Sequence, residues 1–216
     1  MAFICFFLPL LLVVLSSGSI TPPNPPQFVY RVDFREPELI FQTGLKSHGP
    51  CENVFYHVQG RNCKEKTSAF ISTTSNEEKA AGFGRTKLEG DRTKQSIYVY
   101  KIRADQRFYS ADYSLMTAAD IYLQAGNAKK SQKYRELAEQ YRSQEEWFAY
   151  KEIPTALIQQ ATTYTRILLN LKNKGAVVPN SNRYVDANTF ASQEPFPESN
   201  KGCTPEMWRS LKACLA

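Results

Sequence analysis

Four short stretches of this chain carry side chains that could act on a charged small molecule. In "FVYRVDFR", residues 28–35, Arg31, Asp33 and Arg35 alternate with Tyr30, Val32 and Phe34. A strand there would put the charges on one face and the apolar groups on the other. "SAFISTTS", residues 68–75, supplies the hydroxyls of Ser72, Thr73, Thr74 and Ser75. "QEEWF" begins with Gln144 and holds Glu146 two positions later, and "ENVFYHVQGR" holds His57. An arginine kept inside would bind an anion, hydroxyls and a carboxylate would hold a polar ligand, and an imidazole can take a proton near neutral pH. Taken singly, each is also an ordinary surface feature, since Arg, Ser and Glu are mostly exposed.

The elements that must position these residues follow from local pattern. Residues 28–34 read as a strand, and "EPELIFQTGL" as a short helix capped by Gly44. "ENVFYHVQGR" reads as a helix closed by Gly60. "SAFISTTS" and "SIYVYKIRA" (96–104) read as strands rich in branched and aromatic residues. In "NAKKSQKYRELAEQYRS" the spacing of Tyr134, Leu137, Ala138 and Tyr141 predicts an amphipathic helix. "QEEWFAYKEIP" turns to strand and stops at Pro154, and "QQATTYTRILLNL" is a further β-rich segment. Residues 174–216 form a loop-rich tail. Helices and strands without regular βα alternation predict an α+β fold.

Composition narrows the function classes. The chain has 27 Lys and Arg against 21 Asp and Glu, a net charge of +6. No run of basic residues with interleaved aromatics points to nucleic acid. The uncharged apolar run Phe3–Leu15, followed by small residues, matches a secretory signal over residues 1–18 rather than a stable membrane span. A Pro-rich leader follows at 19–27. With Cys5 removed in the signal, Cys51, Cys63, Cys203 and Cys214 remain, and an exported chain would oxidise them in one of three pairings. The only histidines are His48 and His57, and no paired cysteine motif is present, so no structural metal site is expected. "GFGRTKLEG" lacks the spacing of a dinucleotide-binding loop.

Taken together, the stretches resemble a known family. Arginine on a first strand, Ser-Thr-Thr-Ser on a later one and Gln-x-Glu opening a third is similar to the signature of toxin-type mono-ADP-ribosyltransferases. The blocks "VYRVDFREPELIFQTG", "NVFYHVQGRNC", "SAFISTTS", "YKIRADQRFYS" and "QEEWFAYKEIP" with "IQQATTY" resemble, in order, the catalytic A subunits of the pertussis and typhoid toxin type. The resemblance implies an ADP-ribosyltransferase toxin fold, with two small antiparallel or mixed sheets around an NAD cleft and flanking helices. It places the catalytic domain at 28–173. It also implies a secreted enzyme acting inside a target cell, with NAD as substrate and no metal.

By the same resemblance, Arg31 binds NAD through its pyrophosphate, Ser72 orients the catalytic Glu146, and Thr73 supports the ribose–nicotinamide end. A carboxylate suits the cationic ribose that forms when the nicotinamide bond breaks, as in glycoside cleavage. His57 matches a proposed general base, and Gln144 a residue that positions the acceptor. Glutamine at that place goes with acceptors other than arginine, including a cysteine of heterotrimeric G-protein α subunits, which makes such a subunit the candidate partner. A delivery subunit is a second candidate partner, although the chain ends soon after Cys214, where relatives continue. Cys63 matches a family cysteine bridged to the C-terminal region, with Cys203 as the favoured partner and Cys51 and Cys214 left over. His48 stands where relatives place a tryptophan near NAD. An NAD glycohydrolase and a weakly catalytic binding protein of the same fold are the alternatives.

Overall fold

The computed structural model describes residues 20–60, 66–165 and 175–203. The signal segment, Cys63, Cys214 and the second half of the "QQATTYTRILLNL" stretch lie outside the described residues.

The β-branched and aromatic stretches assemble into one seven-stranded antiparallel sheet. Its strands are β1 (Phe28–Asp33), β3 (Phe70–Thr74), β4 (Ser96–Arg103), β5 (Phe108–Ser110), β6 (Glu146–Tyr150), β8 (Ile158–Thr165) and β9 (Val177–Pro179), in the order β5-β6-β3-β1-β4-β8-β9. A small second sheet pairs β2 (Leu45–Lys46) with β7 (Glu152–Ile153). Among the described residues five helices flank them: α1 (Pro37–Thr43), α2 (Val54–Val58), α3 (Glu77–Gly90), α4 (Ala111–Gln124) and α5 (Ala128–Tyr141). The α+β class expected from the sequence is what the chain adopts.

Local chemistry explains the helix starts. Asn53, Asn76, Ser110 and Asn127 each accept a backbone N–H of the first turn through the side chain, satisfying donors that a helix leaves open. Gly44 ends α1 at φ +66°, and a Cβ there would lie 2.5 Å from the Ile153 carbonyl, so a side chain is excluded twice over.

Apolar side chains gather in three groups. Val29, Ile40, Tyr100, Ile102, Phe108, Ile153 and Ile158 fill the space beneath α1. Val54, Phe70, Leu115, Tyr134, Leu137, Phe148 and Phe196 join α2, α4 and α5 to the sheet. Val32, Ala80, Ala81, Leu88, Ile97 and Val99 seat α3 on β1 and β4. There Gly84 lets the helix approach closely, since a Cβ would stand 3.0 Å from Val32 Cγ2. The alternation expected in β1 holds: Val32 packs under α3, whereas Val29 lies on the opposite face.

Two helices were not assigned from local pattern. α3 carries Gly82 and Gly84 within it, which lowers its propensity, and α4 follows β5 directly, with Ser110, the last residue of the strand, as its cap.

Candidate active site

The site begins with an irregularity in the sheet. β1 pairs with β4 over six residues, from Phe28↔Arg103 to Asp33↔Tyr98, but with β3 only at Tyr30↔Thr74. The sheet therefore parts between β1 and β3. Across the gap Arg31 Nη1 donates to the Ser72 carbonyl at 2.8 Å, replacing a ladder bond with a guanidinium bond. Arg31 Nε lies 3.6 Å from Asp33 Oδ2, and Arg35 donates to both oxygens of Asp33. Burial pushes the Asp33 carboxyl up, but the bonds from Arg35 and the charge of Arg31 outweigh it and hold the group below its usual range. Arg31 is thus steered by two fixed acceptors, as a strand-mounted anion ligand requires.

β3 and β6 pair in full register, which sets Ser72 opposite Phe148 and Thr74 opposite Glu146. Ser72 Oγ and Glu146 Oε1 converge on one atom, His57 Nε2, at 3.1 and 3.3 Å. The other ring nitrogen, Nδ1, lies 2.8 Å from Ser68 Oγ. Ser68 Oγ also accepts the Phe70 N–H at 3.0 Å, and of the two acceptors open to its own proton the imidazole, at 2.8 Å, is closer than the Phe70 carbonyl, at 3.4 Å. In the neutral ring this network fits the tautomer with the proton on Nε2, donated toward Glu146. The edges of Phe70 and Phe148 press on the ring, which is only 2% exposed. Ser68 is a member of the site that sequence reasoning missed; the only signal was its place at the start of the hydroxyl-bearing strand.

Gln144 and Glu146 do not sit on one continuous extended strand, as their spacing suggested. Gln144 ends a 3₁₀ turn (Arg142–Gln144), Glu145 takes the left-handed conformation at φ +50°, and only Glu146 begins β6. The turn is fastened to α3 and to the residue that follows β3: Lys79 Nζ donates to Glu145 Oε1 at 2.6 Å, and Ser75 Oγ donates to Glu145 Oε2 at 3.3 Å. Thr74 Oγ1 donates to the Gln144 carbonyl at 2.9 Å, and Thr73 Oγ1 to that of Trp147.

These groups line one cavity of about 320 Å³, bounded by Tyr30, Arg31, His57, Ser72, Thr73, Thr74, Phe83, Lys87, Gln144 and Glu146. All six residues singled out in the sequence as catalytic or NAD-binding meet there. Phe83 of α3 is 44% exposed and borders the cavity, offering an apolar ring that the unassigned helix had hidden from sequence reasoning. His48 is exposed in the loop after β2 and is not among the lining residues. No group of three His, Cys, Asp or Glu side chains able to hold a metal occurs among the described residues.

The expected Cys63–Cys203 bridge is corrected: Cys203 is bonded to Cys51. Residues 51–53 and 200–203 run side by side, with Glu52 N–H donating to the Lys201 carbonyl at 2.9 Å and Asn53 Nδ2 to Asn200 Oδ1 at 2.6 Å. This holds the two cysteine Cα atoms 4.4 Å apart, within bridging distance. Sequence spacing could not reveal that alignment. Cys51 also forms a β-bridge with Ser68, so the disulfide adjoins the serine that holds His57.

Residues 24–203 match the family model described as pertussis toxin, subunit 1. Pertussis toxin subunit 1 of Bordetella pertussis is 30% identical over 229 residues, covering 95% of this chain and 81% of the relative. The ADP-ribosylating toxin CARDS of Mycoplasma pneumoniae is 34% identical over 148 residues, 64% of this chain and 25% of that protein. Among solved structures, EcPltA superposes with a TM-score of 0.61 at 29% identity, covering 84% of this chain and 95% of its own.

Proposed function

The chain belongs to the pertussis toxin subunit 1 family, and from that premise we propose that it is an NAD-dependent protein mono-ADP-ribosyltransferase. The observation that carries this reading is the convergence of Arg31, Ser72, His57 and Glu146 on one cavity.

Arg31 supplies charge-assisted donors to the NAD pyrophosphate, and its bond to Ser72 sets its angle. Phe83 offers an apolar face to the nicotinamide ring. Glu146 stabilises the positive charge that grows on the ribose as the C–N bond breaks and nicotinamide leaves with the bonding electrons. An acceptor nucleophile then attacks the ribose anomeric carbon and gives up its proton. Thr73 and Thr74 anchor the turn that carries Gln144 and Glu146, and Gln144, which lines the cavity, is assigned to positioning the incoming acceptor. His57 is engaged at both ring nitrogens, which supports a role in aiming Glu146 ahead of direct contact with the acceptor.

For the acceptor, the glutamine at 144 supports a side chain other than arginine, and a cysteine of a G-protein α subunit is the first candidate. The apolar run Phe3–Leu15 and the Cys51–Cys203 bridge support export, because disulfides persist in oxidising compartments. No helix among the described residues is long and apolar enough to cross a membrane.

The test uses NAD labelled in the adenylate, with and without purified G-protein α subunits, under oxidising and reducing conditions. Wild type is compared with Glu146→Gln. Label on the α subunit supports the whole reading. Nicotinamide release without label on protein supports an NAD glycohydrolase. Wild type that releases no nicotinamide and does not bind NAD in calorimetry overturns the enzymatic reading. Glu146→Gln should lower nicotinamide release by about 10²–10³-fold while NAD binding persists.

A further inference from the structure

A second cavity, of about 610 Å³ against 320 Å³ for the first, lies across α2 from the catalytic one. α2 is the shared wall: His57 and Val58 border the catalytic cavity, whereas Phe55, Tyr56 and Gln59 border the second. The opposite wall is the first half of α5, with Lys129, Lys130, Lys133, Tyr134 and Leu137. Asn53 and Asn200 meet at one end, beside the disulfide.

The lining is cationic and apolar together. Lys129, Lys130 and Lys133 face one carboxylate, Glu136, whose Oε1 accepts from Gln132 at 2.8 Å. None of the three lysines forms an ion pair among the described residues. Lys129 and Lys133 are exposed, while the Lys130 ammonium sits 3.8 Å from the Tyr122 ring centre. Gln59 keeps its side-chain Oε1 buried with no hydrogen-bond partner, and turning it toward an entering N–H would recover the bond.

We propose that this groove docks an acidic segment of the acceptor protein that also carries an apolar side chain, beside the catalytic cavity. The proposal rests on the ADP-ribosyltransferase reading, which requires a protein acceptor. Lysines without a carboxylate partner fit carboxylates, the Phe55, Tyr134 and Leu137 walls fit the apolar group, and Gln59 fits a peptide N–H. Nucleic acid fits less well. Bases stack on open aromatic faces, but Phe55 lies against Tyr134 at 4.5 Å and Lys130 covers Tyr122.

The test is fluorescence anisotropy with a short labelled peptide of Glu and Asp around one Phe, titrated with the full chain. The triple variant Lys129→Glu, Lys130→Glu and Lys133→Glu should bind at least about tenfold more weakly. Salt should weaken wild-type binding, and a peptide with Gln and Asn in place of the acids should bind poorly. Lys129 and Lys130 lie in the first turn of α5, where acidic residues suit the helix, and Lys133 is exposed one turn on, so α5 should tolerate the change. Nicotinamide release from NAD should stay at the wild-type rate, showing that the catalytic cavity is intact. Equal affinity of the triple variant, or of the neutral peptide, overturns the proposal; so does tighter binding of an oligothymidylate that the acidic peptide displaces. Wild type that releases no nicotinamide sinks the transferase reading instead, whatever the peptide does.

Discussion

The Ser68 hydroxyl lies 2.8 Å from His57 Nδ1, on the side of the ring opposite Glu146, and Ser68 is itself 2% exposed. The imidazole is held between a backbone-anchored hydroxyl and the carboxylate, so its angle, and through it that of Glu146, depends on Ser68.

Ser68→Ala should therefore lower the rate of nicotinamide release by about 10-fold with little change in the KM for NAD, because it acts on orientation. Ser68→Thr, which keeps the hydroxyl, should restore most of the rate. The pH–rate profile of Ser68→Ala should also shift, since the imidazole loses a partner. Equal loss in the alanine and threonine variants, with an unshifted profile, would assign Ser68 to packing alone.

Arg31→Lys should behave as a severe change. A single ammonium cannot hold the Ser72 carbonyl and an anion in the geometry of a fork. NAD affinity measured by calorimetry should fall roughly 10- to 100-fold, about 1.4–2.7 kcal/mol. Wild-type affinity in the lysine variant would remove Arg31 from NAD binding.

Cys203→Ser should destabilise the chain by up to about 5 kcal/mol in the chain-entropy model, since the bridge spans 152 residues. Reductant should produce a comparable drop in wild type and a smaller one in the variant. Thermal unfolding with and without reductant checks both statements; a variant as stable as oxidised wild type would contradict them.

Asp33 predicts a pH dependence. Its folded-state value is depressed, so the stability it contributes is full above the unfolded value near 4 and is lost as pH falls through the folded value. The stability gap between wild type and Asp33→Asn in urea unfolding should be widest above the unfolded value near 4 and narrow as the pH falls below it. A gap that does not vary with pH would show that Asp33 does not titrate this way.

Where local pattern is strong, the sequence is legible. The alternation in residues 28–34, the stripe Tyr134, Leu137, Ala138 and Tyr141, and the stop at Gly44 all correspond to observed elements. α3 was not legible, because its glycines cost propensity and one of them is needed only for contact with β1. The relation of Gln144 to Glu146 was misjudged in its local geometry, because the left-handed Glu145 is imposed by Lys79 and Ser75 from elsewhere in the chain.

The sequence by itself determined which side chains are available: the arginine, the hydroxyls, the glutamate and the histidine, each in an element its neighbours specify. Tertiary structure alone decided that β1 and β3 part so that Arg31 bridges to Ser72, and that Cys203 meets Cys51. It also decided that lysines of one helix face the aromatic rings of another, which no linear run of basic and aromatic residues announces. The physical reason is range. Propensity, capping and alternation act over a few residues, whereas strand gaps, disulfide partners and shared cavity walls depend on which distant segments the core brings side by side.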